Sequence, residues 1–141
     1  MANGNLRAEL QLVSNRKLED AFTLFNNGGY SNAFYLAGYA IECALKACIA
    51  KQVLPETIPD KQFVKTIYTH SFDSLIGLAG LRGELRAKQD ADQIFQAQWA
   101  VASEWSPDVR YASVDKSTTH LMLIAVGDAN HGVLPWIKTF W

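Results

Sequence analysis

The chain has 141 residues, with a hydrophobic fraction of 49% and a charged fraction of 19%. These values exclude a disordered chain and predict a single domain, over residues 1–141, that buries its own core without disulfides or metals. There are 13 Lys and Arg residues against 14 Asp and Glu, a formal net charge of −1, so no basic field would hold nucleic acid through phosphate contacts alone.

Apolar residues recur at helical spacing from the start of the chain, and no run of alternating β-branched residues predicts a strand. A first helix is predicted over about residues 4–27, where Asn27, Gly28 and Gly29 stop it. A second is predicted over about residues 32–54, capped by Ser31 or Asn32.

The middle of the chain predicts shorter elements. Pro55 and Pro59 enclose a loop, and residues 60–72 are ambiguous, with a helical turn as one possibility. A third helix is predicted over about residues 72–81, opened by Ser71 or Asp73.

The last third of the chain predicts two longer helices. The fourth covers about residues 83–104 and ends before a break at 106–108, and its Glu84, Asp90, Asp92 and Glu104 are interpreted as a solvated face. The last begins at Asp115 or Ser117, and Pro135 either kinks it or begins a separate final turn. We therefore expect an all-α protein, an antiparallel up-and-down bundle of four to five helices.

The second helix carries one polar stripe on an otherwise apolar surface. At about 100° per residue, Tyr35, Tyr39, Glu42 and Lys46 fall near one line along this helix. One interpretation is an exposed Glu–Lys pair, which stabilises a helix by only about 0.2–0.5 kcal/mol. The other is a cleft or subunit interface in which Glu42 meets a cation from elsewhere in the chain, and tyrosine suits such half-wet surfaces.

His70 and Arg110 are the natural partners of that stripe, because each lies at a break between predicted helices. Tyr111 follows Arg110 and joins the set of candidate ligand-binding residues. Cys43 and Cys48 have no metal-ligand spacing around them, so they are interpreted as small buried residues of a reduced protein. We expect no metal site and no cofactor.

Several stretches together resemble the HEPN domain (higher eukaryotes and prokaryotes nucleotide-binding). They are AFYLAGYAIECALKA at residues 33–47, THSFDSLIGLAGL at 69–81 and WSPDVRY at 105–111. The resemblance implies an α-helical bundle that commonly dimerises. Many members are encoded beside a minimal nucleotidyltransferase as toxin–antitoxin-type pairs, and others are ribonucleases.

In the ribonuclease members of the family that this chain resembles, an Arg is followed by four to six residues and then a His. The two copies of this motif meet in a dimer and form a metal-independent site. In this chain nine residues separate Arg110 from His120, and no other Arg precedes a His at the family spacing. We therefore expect a non-catalytic binding module for a nucleotide or a partner protein, such as a minimal nucleotidyltransferase.

Two alternatives stay open at this stage. One is a metal-independent ribonuclease that uses Arg110 and His120 in a variant site. The other is a structural dimerisation domain whose interface is the aromatic PWIKTFW segment at residues 135–141. His131 and the tryptophans are interpreted as structural. Because residues 1–10 contain no apolar run and no segment has about 20 continuous apolar residues, we expect a cytoplasmic homodimer without a signal peptide or membrane span.

Overall fold

The computed structural model describes residues 6–141, and within that range every regular element is helical. The predicted all-α class is therefore confirmed, but the described chain divides into eight α-helices instead of four or five. They are α1 Arg7–Asn26, α2 Tyr30–Ala50, α3 Lys61–Thr66, α4 Phe72–Leu78, α5 Arg82–Ala91, α6 Gln93–Ser103, α7 Lys116–Gly127 and α8 Val133–Lys138, with a 3₁₀ turn at Pro107–Tyr111 between α6 and α7.

Helices α1 and α2 form an antiparallel hairpin. Gly28 turns the chain with φ of +83°, a left-handed conformation that glycine adopts without a Cβ penalty. The buried Ser14 hydroxyl then donates to the Ala40 carbonyl oxygen across the hairpin, at 2.7 Å. Helix α2 begins at Tyr30 with Gly29 as its N-cap, so the predicted caps Ser31 and Asn32 lie inside the helix, and the Ser31 hydroxyl instead accepts from the Val114 amide at 2.8 Å.

Helix α2 is the centre of the fold. It packs against α1, α4, α7, α8 and the 3₁₀ turn, and most of its residues are buried. By length and composition alone α2 could cross a membrane, but 72% of its most apolar window is buried inside the fold. A core helix of a water-soluble protein has these same properties. It ends at Ala50, earlier than the predicted residue 54.

The predicted single helix over residues 83–104 is wrong, because Asp92 breaks it. The backbone of Asp92 is extended, with φ of −141° and ψ of 97°, and its side chain accepts a hydrogen bond from the Phe95 amide at 3.0 Å. This is an N-cap, which supplies a partner for a backbone donor that a new helix leaves unpaired. The chain therefore forms α5 and α6 with an elbow between them.

The C-terminal segment follows the second of the two predicted alternatives, a separate final helix. Helix α7 ends at Gly127, and α8 begins at Val133, with Pro135 in its first turn, where no helical hydrogen bond is lost. Leu134, Trp136 and Ile137 are buried in the core of their own chain. These three side chains pack inside their own chain, whereas Phe140 and Trp141 are partly exposed, so an interface at the PWIKTFW segment stays a prediction.

Candidate functional site

The carboxylate of Glu42 lies in the centre of the fold. Glu42 is in the middle of α2 and is only 1% exposed. Its Oε1 lies 2.7 Å from Nδ1 of His70, in the short connection that precedes α4. Burying an unpaired charge is costly, and this hydrogen bond compensates part of that cost. The interpretation of Glu42 as half of an exposed surface pair is therefore wrong.

Lys46 completes a three-residue group with Glu42 and His70. Its Nζ lies 3.4 Å from Glu42 Oε2, one helical turn further along α2. That distance exceeds the about 2.7–2.9 Å of a strong charge-assisted hydrogen bond, so Lys46 retains donors for another acceptor. The predicted meeting of the Glu–Lys pair with a histidine from another part of the chain is confirmed.

The geometry at His70 defines what its second nitrogen can do. An ionised carboxylate can only accept, so with Glu42 ionised the proton of the 2.7 Å bond is assigned to Nδ1 of His70. In the neutral imidazole the Nε2 atom then has a free lone pair. The His70 side chain is 52% exposed, which leaves this ring accessible to a ligand on the side away from Glu42.

An aromatic cluster adjoins the carboxylate on α2. Tyr35 and Tyr39 lie with ring centroids 5.8 Å apart, and both contact Trp105, at 6.0 and 6.4 Å. The indole Nε1 of Trp105 donates to the Tyr35 carbonyl oxygen at 3.1 Å. The indole ring of Trp105 lies so close to α2 that a Cβ built on Gly38 would be 2.2 Å from it. Gly38 is therefore the residue that lets the indole dock.

The electrostatics of the stripe keep Tyr39 protonated. Burial, and secondarily the negative charge of Glu42, raise the pKa of the Tyr39 phenol above its ordinary value. The ammonium of Lys17 lies 5.6 Å from the centroid of the Tyr39 ring. Tyr39 can thus act as a hydrogen-bond donor or a stacking surface, but not as a base.

Arg110 lies beside Tyr35 and Tyr111, not beside Glu42. Its guanidinium carbon is 4.9 Å from the centroid of the Tyr111 ring. Hydrogen bonding to Tyr111, and more weakly to Tyr35, raises the pKa of Arg110. Tyr35 precedes Glu42 by seven residues, or about 10 Å along a helix. The expected convergence of Arg110 on Glu42 is therefore wrong, although both lie along the same stripe.

His120 lies in a different part of the surface from Arg110. It is exposed on α7, where its ring centroid is 5.7 Å from that of Phe25. It lines a groove of about 360 Å³ together with Phe22 and Asp128. Because Arg110 contacts tyrosines on α2 and the 3₁₀ turn, one chain does not bring Arg110 and His120 together as a ribonuclease pair.

The Glu42–His70 bond separates two cavities. On one side, Glu42, Tyr39 and Lys46 line a groove of about 400 Å³ against α1. On the other side, His70 and Trp105 line a cleft of about 550 Å³ whose walls also carry serine hydroxyls. Both volumes fall within the about 300–1,000 Å³ typical of small-molecule sites.

A second histidine–carboxylate pair was not foreseen from the sequence. His131 Nδ1 lies 2.7 Å from Asp92 Oδ2, and Lys88 Nζ lies 3.2 Å from the same oxygen. The hydrogen bond from His131, followed by that from the Phe95 amide, holds the pKa of Asp92 well below its ordinary range. The interpretation of Asp92 as part of a solvated face is wrong. Because 39 residues separate Asp92 from His131, no local pattern could reveal the pair.

The described residues offer no alternative centre for a metal or a thiol reaction. Within residues 6–141, no group of three His, Cys, Asp or Glu side chains could hold a metal ion. Both cysteines are free and buried, and burial raises the pKa of Cys43 and Cys48 to about 11. The prediction that the two cysteines are buried and unbridged is confirmed.

No protein-family model, curated protein or solved structure matches this chain.

Proposed function

We propose that this protein is a HEPN-like helical binding module that takes a nucleotide or a partner protein and has no catalytic activity of its own. In this proposal the helices form an antiparallel up-and-down bundle that acts in the cytoplasm as a homodimer. The partner class is a minimal nucleotidyltransferase in a toxin–antitoxin-type pair. The supporting observation is the buried carboxylate of Glu42, bonded to the half-exposed His70 at 2.7 Å.

A buried charge that is bonded to an accessible histidine suits a binding site. Removing a carboxylate from water costs several kcal/mol in proteins, and an apolar residue of similar volume often serves stability as well or better. Ionisable groups held in such surroundings cluster at functional sites. We therefore attribute Glu42 to ligand recognition, in which it fixes the ring of His70.

The rest of the stripe has the chemistry that a nucleotide requires. Lys46 and Arg110 provide cationic donors for phosphate oxygens, one near each end of the stripe. Tyr35, Tyr39 and Tyr111 provide aromatic faces for a base, and a stacked base contributes about 1–3 kcal/mol.

Calorimetric titration with ATP, GTP and AMP tests this proposal, and the chain offers a matched control. His70→Asn removes the imidazole bonded to Glu42, whereas His131→Asn removes the equivalent imidazole bonded to Asp92, outside the site. We expect His70→Asn to weaken nucleotide affinity about tenfold, equivalent to a charge-assisted hydrogen bond of about 1.4 kcal/mol, and His131→Asn to leave it unchanged.

A co-purification experiment tests the protein partner. Where a nucleotidyltransferase is encoded beside this chain, it is co-expressed with the wild-type protein, with Arg110→Gln and with Arg86→Gln. Arg86 is an exposed residue on α5 and serves as the control. Loss of the complex only in Arg110→Gln supports the proposal. If neither a nucleotide nor this partner binds the wild-type protein, the proposed function is wrong.

A ribonuclease is the second candidate, because Arg110 and His120 are both exposed and a second subunit could bring them together. In this alternative His120 transfers a proton and Arg110 stabilises the charged transition state. RNA cleavage that persists with a chelator and disappears in His120→Ala supports it. RNA that stays intact after long incubation with the pure protein excludes it.

The proposed homodimer has a candidate face on α1 and α7. Phe22, Leu121 and Ile124 are exposed there, and Phe22 and Ile124 line the same groove as His120. An apolar patch of this kind suits a self-complementary interface between two copies. We expect Ile124→Asp to yield monomer in light scattering, and Ile94→Asp, the same change at an exposed residue on α6, to leave the dimer intact.

A further inference from the structure

A fourth cavity, the N-terminal groove, lies at the C-terminal end of α2. It is defined by Leu6, Arg7, Lys46, Leu54 and Tyr68 together with the apolar residues between them, and its volume is about 470 Å³. The beginning of α1, the last turn of α2, the loop after it and the end of α3 form its walls. Parts of three helices and the loop after α2 therefore enclose one apolar space at the edge of the fold.

The N-terminal groove gathers exposed apolar side chains that a folded protein usually buries. Leu6, Val53, Leu54 and Tyr68 are all exposed large hydrophobic residues, and Leu54 is 68% exposed. All four line this one cavity. Single exposed apolar residues need no explanation, but a contiguous patch in a concave surface indicates a ligand.

The charged residues of the groove indicate the sign of that ligand. Arg7 and Lys46 are the charged side chains among the described lining residues, and both are cations. Arg7 Nη2 donates to the Trp141 carbonyl oxygen at 2.7 Å, and its guanidinium carries four further N–H donors. The ammonium of Lys46 has three N–H donors and makes one contact, with Glu42 at 3.4 Å, so two donors remain for a ligand. A bound anion would accept hydrogen bonds from both Arg7 and Lys46.

The size of the groove favours a small molecule over a protein. A stable protein interface buries about 800 Å² on each partner, whereas cavities of about 300–1,000 Å³ bind small ligands. At about 30 Å³ for each water-sized group, the groove accommodates on the order of fifteen such groups. An alkyl chain of about ten carbons with a terminal carboxylate has this size and polarity.

We infer that the N-terminal groove is a second binding site, for an unbranched alkyl carboxylate, which shares Lys46 with the proposed nucleotide site but does not include His70. The alkyl chain lies against Leu54, Val53 and Tyr68. The carboxylate accepts from Lys46 and Arg7. Because Lys46 also faces Glu42, the anion and Glu42 share one ammonium group.

Decanoate is the probe that tests this site, with decanol and acetate as matched ligands. Calorimetric or NMR titration of the full chain is expected to show binding of decanoate, at least threefold weaker binding of decanol, and no binding of acetate. Equal affinity for decanoate and decanol would overturn the role of the two cations. Absence of decanoate binding would overturn the site.

Two pairs of variants locate the ligand. Leu54→Ser changes a lining residue, and Ile58→Ser changes a residue of the same loop that is 98% exposed and lies outside the groove. Lys46→Gln removes a lining cation, and Lys51→Gln removes a cation outside the groove. We expect Leu54→Ser and Lys46→Gln each to weaken decanoate binding by about two- to fivefold, and each control to leave it unchanged. Equal losses in a variant and its control would contradict this placement.

Two further measurements exclude other occupants. His70→Asn is expected to keep decanoate binding. A failure of the nucleotide site and a failure of the groove therefore give different results. Loss of decanoate binding in His70→Asn would place the ligand at Glu42 and overturn the inference. Vesicles of phosphatidylglycerol are expected not to sediment the protein. Sedimentation that Leu54→Ser abolishes would assign the groove to a membrane surface instead.

Discussion

Replacing His70 by alanine tests whether the buried charge of Glu42 depends on its hydrogen bond. His70→Ala removes the 2.7 Å bond to Oε1 and leaves Glu42 with only the Lys46 contact at 3.4 Å. The glutamate stays in the centre of α2, where its side chain is 2% exposed. The variant thus leaves a carboxylate buried without its closest partner.

The expected loss of stability follows from that burial. Removing one partner of a buried ion pair costs about 3–5 kcal/mol when water cannot replace it. His70 is half-exposed, so water enters the space that the imidazole vacates and recovers part of that loss. We expect a decrease of about 2 kcal/mol in the free energy of unfolding, or about 6–8 °C in melting temperature for a chain of this length.

Glu42→Leu should be the milder change, although Glu42 is by far the more buried residue. It removes the charge together with its desolvation cost and leaves only a histidine that water can reach. We expect Glu42→Leu, alone or combined with His70→Ala, to unfold within about 1 kcal/mol of the wild type.

Urea denaturation at pH 7 measures these changes for both single variants and the double variant. The His131→Ala variant is the control, because its partner Asp92 keeps Lys88 and a backbone amide and should therefore lose less. The reasoning is refuted if His70→Ala is as stable as the wild type while Glu42→Leu is strongly destabilised.

Three further predictions follow from single contacts. Folding lowers the pKa of Asp92, so the stability that its ionised side chain contributes is complete above about pH 4 and is lost as the pH falls further. The urea midpoint of Asp92→Asn should therefore change less between about pH 4 and 2 than the midpoint of the wild type. Burial raises the pKa of Cys43 and Cys48 to about 11, so neither thiol should react with a disulfide reagent at pH 8 until urea unfolds the protein, when both should react. Gly38→Ala places a Cβ 2.2 Å from the docked indole and should destabilise the protein by about 1–3 kcal/mol, whereas Gly83→Ala, in α5, meets no atom within 4 Å and should leave the melting temperature unchanged or raise it.

The local features of the fold could be predicted from the sequence. The all-α class, the hairpin turn at Gly28, and the caps at Ser71 and Asp115 are all present as expected. Helical periodicity, left-handed turns and side-chain caps depend on residues that are a few positions apart, so the sequence records them directly. The same holds for the polar stripe on α2, which is a property of one helix.

The partners of those side chains were decided by the tertiary structure. Glu42 is 28 residues from His70, and Asp92 is 39 residues from His131. Arg110 contacts tyrosines instead of Glu42 because docking of the 3₁₀ turn on α2 places it two helical turns away. Which side chains meet across helices depends on how all the apolar faces pack at once, and no short stretch of sequence contains that information. The sequence by itself therefore determined the all-α class and the polar stripe on α2, whereas the division into eight helices and the groups that the stripe meets became visible only in the tertiary structure.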